Sequence, residues 1–330
     1  MEIRAQPLLS DVPLLIAEAN GKVVGARGFL ARRVRAGDRT VIAVEATGAM
    51  VHPDHRHRGV YERLVEYTIE RYADSETALR FSFPNRLSLP GTLKQGARFV
   101  GTIPTYYRLQ NPAAFFRSAD DAPRIRLARR IGRPLAQGYL GARDRIRSAS
   151  NNAVIVRRHT EIPAADLGAL YERTAPGVLH TVRDEEFYRW RFENPEWDYD
   201  SYTAVQGGQV VGGMVLGTGQ MNGAVVTRIA DVLPMGRSAR TPALKRLLET
   251  ALPEYKESDL IAAFGHAMPP ALLDTYEFLS DHRPPLSWVT NSTPMVVDHL
   301  SHNHSEWTIN GFDPIERTNW LLSYSDWDTA

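Results

Sequence analysis

Three histidines and two arginines are crowded into residues 52–59, HPDHRHRG, immediately before a helical pattern begins. The first N–H groups of a helix have no partners inside the helix, and its N-terminus carries a partial positive charge. A glycine at this point, Gly59, lets a ligand approach the backbone closely. The segment therefore predicts an anion site, most often one for phosphate, with Arg56 and Arg58 adding positive charge.

The same segment also contains the spacing His52-x-x-His55-x-His57, which is an alternative signal for a metal site. The neighbouring arginines would repel a divalent cation, and Asp54 is the one acidic residue within the loop. We therefore prefer the anion site to the metal site, and we expect no metal.

The elements that must position this loop occur twice in the chain. Apolar runs separated by Asn-Gly or Gly-Gly predict hairpins at residues 14–24 and 204–211. Each hairpin leads to a third strand, a loop, an amphipathic helix and a further strand, and the two copies lie about 187 residues apart at Gly25 and Gly212. The apolar faces of the two helices comprise Val60, Leu64, Thr68 and Tyr72 in the first copy and Leu244, Leu247, Leu248 and Leu252 in the second. This order predicts an internal duplication.

Composition narrows the class of protein. With 330 residues, 43% hydrophobic and 23% charged, the chain is long enough for two globular domains. A net charge of +1 gives no overall attraction to nucleic acid or to an acidic membrane. The absence of cysteine excludes disulfides, cysteine-ligated zinc and a thiol nucleophile. No apolar run approaches the ~18 residues of a membrane span, and no signal peptide is evident, so we expect a soluble, cytoplasmic protein.

The loop before the helix resembles a known cofactor motif. Arg56, Gly59 and the helix start are similar to the acetyl-CoA-binding motif of the Gcn5-related N-acetyltransferases (GNAT), Arg or Gln, two residues, Gly, one residue, then Gly or Ala. Tyr61 departs from the final small residue. The resemblance implies that the backbone at the helix start binds the CoA pyrophosphate and that the preceding strand pairs with the pantetheine amides. The cofactor residues it implies around this loop are Ala49, Met50, Val51, Arg56, His57, Arg58, Gly59, Val60 and Tyr61.

A second feature of the same family follows downstream. Asn85, Ser88, Lys94 and Gly96 match its spacing, and the resemblance adds the first three to the cofactor-binding residues. At the position where the family commonly has a tyrosine that protonates the leaving thiolate, this chain has Thr92. The substitutes available by residue type are Tyr106 and Tyr107, which are predicted on the last strand of the copy, where simple packing is an alternative role for them.

The resemblance also nominates a base. Acetyl transfer requires a neutral amine, and a carboxylate on the third strand can accept the proton if burial raises its pKa. Glu45, eleven residues before Arg56, resembles the catalytic glutamate of the lysine-acetylating branch of the family in strand and spacing. An outward-facing strand charge is the alternative role.

The second copy has PMGRSART at residues 234–241 where the first has the arginine-rich loop. Its glycine comes too early and Pro242 removes one N–H, so we expect one CoA site per chain. The fold class is therefore α/β, with two tandem GNAT-like mixed-sheet domains, the second lacking the acetyl-CoA pyrophosphate loop.

The predicted domain boundaries follow from this duplication. Residues 1–111 form the acetyl-CoA-binding domain without the usual N-terminal helices, and residues 153–300 form the degenerate copy. Residues 301–330 form a tail. Residues 112–152 form a basic connector, for which a solvated amphipathic helix is preferred to a nucleic-acid patch because few aromatic residues interleave its arginines.

The resemblance implies an N-acetyltransferase that moves an acetyl group from acetyl-CoA, as cosubstrate, to an amine by direct attack. The amine acceptor, a small molecule or a protein, is not identified by the sequence, nor is the oligomeric state. Two alternatives stay open: a tandem aminoacyl- or acyltransferase, and a non-catalytic acyl-CoA-binding regulatory module.

Overall fold

The computed structural model describes residues 14–72, 77–111, 153–236, 241–288, 290–300 and 308–327. The predicted basic connector and residues 237–240 of the second loop lie outside these residues. The strands are β1 (Leu14–Ala19), β2 (Lys22–Ala36), β3 (Arg39–Val51), β4 (Thr77–Ser82), β5 (Arg98–Ile103), β6 (Thr105–Leu109), β7 (Ile155–His159), β8 (His180–Thr181), β9 (Asp198–Gln206), β10 (Gln209–Met221), β11 (Ala224–Leu233), β12 (Leu260–Phe264), β13 (Leu279–Ser280) and β14 (Thr293–His299). The α-helices are α1 (Val60–Tyr72), α2 (Leu89–Lys94), α3 (Ala164–Thr174), α4 (Glu185–Arg191), α5 (Thr241–Ala251) and α6 (Pro270–Thr275).

The chain divides into two compact units, each with a seven-stranded mixed sheet. The first sheet has the order β1-β2-β3-β4-β14-β5, with β8 added to β2, and its one parallel pair is β3–β4. The second sheet has the order β13-β6-β12-β11-β10-β9-β7, and its one parallel pair is β11–β12. Both sheets are thus an antiparallel three-strand meander joined by a helix crossover to a parallel strand, which confirms the predicted order.

The hairpin turns form where the sequence predicts them. Asn20 and Gly21 connect β1 to β2 with φ of 52° and 71°, and Gly207 and Gly208 connect β9 to β10 with φ of 57° and 79°. Two consecutive residues with positive φ are the signature of the type I′ turn, whose twist suits a hairpin. The turn residues therefore set the register of both hairpins.

The glycines that define the duplication have the same structural role in both units. A Cβ on Gly25 of β2 would lie 2.8 Å from Val60 of α1, and one on Gly212 of β10 would lie 3.1 Å from Ala243 of α5. In each unit a strand without a side chain lets the crossover helix approach closely, which is a reason for glycine at these positions.

The two units do not follow the chain continuously. Strand β6 comes directly after β5 in sequence but pairs with β12 and β13 in the second sheet. Strand β14 comes late in the chain but pairs with β4 and β5 in the first sheet. Each sheet therefore contains one strand from the opposite end of the chain, in the position next to its parallel pair. The predicted domain boundaries divide the chain into continuous segments, and they stay a prediction about the two repeats in the sequence.

Each unit has its own apolar core. In the first unit Phe29, Val44 and Leu300 form a buried cluster with Ile69 of α1 against it. In the second unit the predicted face of α5 is buried, with Leu244, Leu247 and Leu248 fully enclosed. Within the described part of the chain, no helix is long and apolar enough to cross a membrane.

Candidate active site

The loop between β3 and α1 is held by its own backbone. His52 N–H donates to the Val24 carbonyl at 2.9 Å, and a 3-10 turn, Pro53–His55, follows. His57 and Gly59 then adopt φ of 59° and 77°. Positive φ at these two positions turns the chain sharply into the helix.

Helix α1 starts with free amide groups directed toward this loop. Its first helical hydrogen bond runs from Arg63 N–H to the Gly59 carbonyl at 3.1 Å, so the amides of Val60, Tyr61 and Glu62 precede it. Such amides, with the partial positive charge of the helix end, form an anion-binding site. The backbone at Gly59 is open as well, because a Cβ there would meet no atom within 4 Å.

A cavity of about 400 Å³ lies against this helix start. Nine of the twelve residues predicted to bind the cofactor line it: Ala49, Val51, Arg56, His57, Gly59, Val60, Tyr61, Asn85 and Ser88. Four residues that the sequence did not predict also line it: His55, Glu62, Leu87 and Gly91. The cavity thus joins the end of β3, the start of α1 and the start of α2.

Three predicted cofactor residues are not among those lining the cavity. Met50 alternates with its neighbours Ala49 and Val51, and its side chain is 69% exposed. Arg58 is exposed in the loop, and Lys94 is exposed in the last turn of α2. Their assignment stays a prediction.

One arginine and two histidines of the loop line the cavity. Arg56 is oriented by a hydrogen bond from its Nε to the Val51 carbonyl at 3.2 Å, while His55 and His57 also line the wall. Glu62 in the first turn of α1 is the one lining carboxylate. The anion-binding character of this wall therefore comes from the amides at the start of α1, with the Arg56 guanidinium beside them. Among the described residues, no group of three or more histidine and acidic side chains is placed to hold a metal ion.

Asn85 organises the entry to α2. Its Oδ1 accepts hydrogen bonds from Leu87 N–H at 2.9 Å and from Ser88 N–H at 3.0 Å. Side-chain oxygens of asparagine commonly fix a turn in this way. Asn85 therefore shapes the wall of the cavity through the backbone, a role that the spacing alone did not indicate.

Tyr61 and Thr92 meet on the side of the cavity nearest α2. The Tyr61 hydroxyl lies 3.2 Å from Thr92 Oγ1, and Thr92 Oγ1 donates to the Ser88 carbonyl at 3.0 Å. Because Thr92 uses its own proton on Ser88, Tyr61 is the donor to Thr92. Thr92 is only 3% exposed, so this contact is well shielded from solvent.

A buried arginine supports Tyr61 from within the first unit. The Arg27 guanidinium carbon lies 5.2 Å from the centre of the Tyr61 ring, and the side chain is only 4% exposed. Burial lowers the pKa of Arg27, while electrostatic attraction and a hydrogen bond to Tyr61 partly offset this. Among the described residues, Arg27 Nε and Nη1 have no hydrogen-bond partner.

A buried ion pair lies next to Arg27. Arg80 donates from Nε to Asp298 Oδ2 at 2.7 Å, with a second bond from Nη2 to the same oxygen. Burial raises the pKa of Asp298, and the neighbouring Arg80 opposes that shift. Asp298 thus attracts both guanidinium groups, Arg80 directly and Arg27 through its charge.

Comparison with known proteins finds a similarity in the first part of the chain. Residues 2–97, which include the whole loop and α1, match the family model described as the acetyltransferase (GNAT) domain. These residues are similar to a GNAT acetyltransferase domain. A search of curated proteins found no match for the chain.

Solved structures share the GNAT fold at low sequence identity. A Gcn5-related N-acetyltransferase from Anabaena variabilis has a TM-score of 0.57 and 12% identity, covering 87% of this chain and 63% of its own. An N-myristoyltransferase from Saccharomyces cerevisiae with bound myristoyl-CoA has a TM-score of 0.54 and 14% identity, covering 86% of this chain and 64% of its own. Eis1 from Mycobacterium abscessus has a TM-score of 0.50 and 15% identity, covering 87% and 64%. The chain thus spans less than two thirds of the length of these proteins.

Glu45 lies within the residues that match the GNAT model but is not among those that line the cavity. It is 1% exposed, and its Oε2 accepts from Arg32 Nη2 at 2.7 Å and from Arg32 Nε at 3.1 Å. The outward-facing strand charge considered from the sequence is therefore wrong, and a buried ion pair takes its place. The role of Glu45 as a base stays a prediction.

Tyr106 and Tyr107 are placed differently from the prediction. Both lie on β6, which belongs to the second sheet, where Tyr106 pairs with Ala263 and Tyr107 with Ala262. Burial, followed by nearby Asp281, raises the pKa of Tyr107. The placement on the last strand of the first copy is therefore corrected, because that position in the first sheet is taken by β5 and β14.

The second unit repeats the GNAT-like strand order without the arginine-rich loop. Its segment after β11 contains Arg237 and Arg240, but the residue immediately before α5 is Arg240, where the first unit has Gly59 before α1. Residues 237–240 lie outside the described residues. The second unit is therefore a GNAT-like sheet without the pyrophosphate motif of the first.

Proposed function

We propose that the chain is an acyltransferase that moves an acetyl group from acetyl-CoA to an amine. The observation that carries the proposal is the cavity that joins the end of β3 to the free amides at the start of α1. A CoA thioester needs both features, since its pyrophosphate requires anion-binding amides and its pantetheine requires a strand edge.

The lining residues fit distinct parts of the cofactor. The amides of Val60 and Tyr61 and the open backbone of Gly59 would bind the pyrophosphate, with Arg56 adding positive charge. The main chain at Ala49 and Val51 would pair with the pantetheine amides. The thioester end would then follow β3.

The chemistry needs no covalent intermediate on the protein. A neutral amine attacks the thioester carbonyl carbon, the C–N bond forms, and the C–S bond breaks. Catalysis then comes mainly from positioning the two substrates and from polarising the carbonyl by backbone N–H groups. The absence of cysteine is consistent with direct attack.

The binding site is tested by placing a charged side chain at Gly59. Gly59→Glu adds bulk and negative charge where the pyrophosphate would lie, so we expect CoA binding to be abolished in calorimetry. Gly21→Glu is the matched control, because Gly21 also has a positive φ of 71° and open space around its Cβ, but lies in the β1–β2 turn. Equal CoA affinity in both variants would refute the site.

The acyl donor is tested with wild-type protein. Thiol release is measured with acetyl-, longer acyl- and myristoyl-CoA and a panel of small amines and peptides. Fastest release from acetyl-CoA supports acetyl transfer, while faster release from longer donors supports the general acyltransferase. CoA binding without release from any donor would favour the regulatory module instead.

A further inference from the structure

One face of the first sheet carries exposed apolar side chains near the end of β3. Ile16 of β1, Ala26 of β2 and Met50 of β3 are register partners, so they share a face of the sheet. Ile16 is 53% exposed and Met50 is 69% exposed. In the next row Leu14, which is 47% exposed, pairs with Gly28. The small residues of β2 thus lie between larger apolar side chains, and we call this surface the β1–β3 groove.

The second unit covers the corresponding face with a helix. The residue after Gly212 on β10 is Gly213, which corresponds to Ala26 on β2. A Cβ on Gly213 would overlap Leu167 Cδ2 of α3, so this helix packs directly on the sheet. In the first unit the same face is open at the β1–β3 groove, as the exposure of its side chains shows. A face that a helix buries in one unit is therefore available to a ligand in the other.

The groove continues toward the proposed base. Along β2 the row of Gly28 and Thr47 is followed by the row of Leu30 and Glu45. Alternate residues of a strand face the same side of the sheet, so Glu45 lies on the face that carries the groove. A molecule in the groove that extends along β3 is thus directed toward Glu45.

The donor cavity lies on the other side of β3. The pairing between β3 and β4 ends at Glu45 and Phe81. Beyond this pair Ala49 and Val51 line the cavity, whereas Met50 between them faces the groove. A thioester that follows β3 would therefore have the groove on the opposite side of the strand, where β4 no longer closes the sheet.

The charge of the groove suits a cation. Glu18 follows Ile16 on the same side of β1, and its side chain is exposed. Glu45 at the inner end is neutralised by Arg32. The groove thus combines an apolar surface with a carboxylate at its outer end. An alkylamine matches both features, because it is protonated at neutral pH and carries an apolar body.

We infer that the β1–β3 groove binds the acceptor, and that this acceptor is an amine with an apolar body, of the alkylamine or arylalkylamine class. This inference rests on the proposed function and adds the acceptor class to it. Ile16 and Met50 contact the apolar body and determine specificity, while the nitrogen extends beside Glu45 toward the thioester carbonyl.

The first experiment measures thiol release by the wild type with the fastest acyl donor and a series of primary amines. The straight-chain series runs from ethylamine to hexylamine, with phenethylamine as the aromatic member and spermidine and a lysine-containing peptide as polar members. We expect kcat/KM to rise about two- to fourfold with each added methylene group, since each becomes buried in the groove. Faster release with spermidine or the peptide than with hexylamine would overturn the inference.

The second experiment compares Ile16→Lys with Ile155→Lys. Ile155 is a matched control, because it is an isoleucine of the edge strand β7 in the second sheet and is 61% exposed. Ile16→Lys and Met50→Lys should raise the KM for hexylamine roughly tenfold, with little change for ethylamine and an unchanged KM for the acyl donor. Ile155→Lys should keep the wild-type values for all three substrates.

The outcomes separate the inference from the proposed function. No thiol release by the wild type from any donor would overturn the proposed function and the inference with it. Thiol release with the same KM for hexylamine in Ile16→Lys, Met50→Lys and wild type would overturn the inference alone. If Ile16→Lys does not fold, Met50→Lys decides, because the side chain that it replaces is more exposed.

The alternative occupant of the groove is a second copy of the chain. Sedimentation of the wild type and of Ile16→Lys tests for it under the conditions of the assay. A wild-type dimer that Ile16→Lys converts to a monomer with unchanged amine kinetics would overturn the inference. The same oligomeric state in both proteins, together with the raised KM for hexylamine, supports it.

Discussion

The two sheets have the same strand order but use the loop after their third strand differently. In the first unit the loop carries Arg56, His57 and Gly59 and leads into a helix whose first amides line a cavity. In the second unit the corresponding helix starts with Thr241-Pro242, and the proline removes one of those amides. The difference shows that a GNAT-like sheet can be kept while its cofactor loop is lost.

The third strand of each sheet carries a buried carboxylate, and the two carboxylates have different partners. Glu45 on β3 forms a buried ion pair with Arg32. Asp231 on β11 accepts from Arg183 at 3.2 Å and from Tyr188 and Ser323 at 2.8 Å each. Burial lowers the pKa of Arg183, but Asp326 and Asp231 together raise it above its ordinary value. The second unit thus uses its carboxylate in a dense network, which is typical of a structural role.

The largest expected contrast is in cofactor stoichiometry. Because the pyrophosphate loop is present once, titration of the wild-type chain with CoA should give one site per chain. Calorimetry of wild type gives this number directly, and Gly59→Glu should reduce it to zero. A value of two for the wild type, or a remaining site in Gly59→Glu, would show that the second unit also binds CoA.

The two carboxylates provide the next contrast. If Glu45 removes the amine proton, Glu45→Gln should keep CoA affinity and lower turnover by ~10²–10⁴-fold. The residual rate should recover as pH rises, because an amine that is already neutral needs no base. Asp231→Asn should instead lower the free energy of unfolding by about 3–5 kcal/mol, the cost of breaking a buried ion pair, with little change in turnover of the folded protein.

Thermal unfolding measured beside the pH–rate profiles distinguishes the outcomes. A Glu45→Gln variant with overlapping rate profiles would remove Glu45 from the mechanism. A variant that unfolds as readily as Asp231→Asn and loses activity only with its fold would make the Arg32–Glu45 pair structural. Reduced turnover in a stable Asp231→Asn variant would contradict the division of roles between the units.

Local sequence patterns predicted the elements well because the relevant forces are local. The Asn20-Gly21 turn and the helix start after Gly59 follow from backbone conformation, and the buried face of α5 follows from its spacing. Local patterns could not predict that β6 joins the second sheet and β14 the first. The pattern of a short strand does not say which of the two sheets it joins, and β6 and β14 each pair on both sides within the sheet that they enter.

The candidate site shows the same limit. The cofactor loop was predictable because its ligand groups are backbone amides next to one another in sequence. The Tyr61–Thr92 contact joins residues 31 positions apart on two helices. In the sequence these two residues are recognisable only as the positions where the chain departs from the family motifs. The Arg32–Glu45 pair could have been found from the register of the β2–β3 hairpin, in which Ala36 pairs with Arg39 across the turn.

The smallest expected contrast concerns the glycines that let each helix approach its sheet. Gly25→Ala and Gly212→Ala both insert a methyl group against a helix, at 2.8 Å from Val60 Cγ1 and at 3.1 Å from Ala243 Cβ. Overpacking of this kind costs about 1–3 kcal/mol, so both variants should lose unfolding free energy in denaturant titrations.

Only Gly25→Ala should also weaken CoA binding, because Val60 lines the cavity and its amide belongs to the anion site. Calorimetry on both variants checks this, with Gly212→Ala as the control for general loss of stability. Equal CoA affinity in the two variants would mean that the position of α1 does not set the affinity, and a weaker affinity in Gly212→Ala would contradict the assignment of binding to the first unit alone.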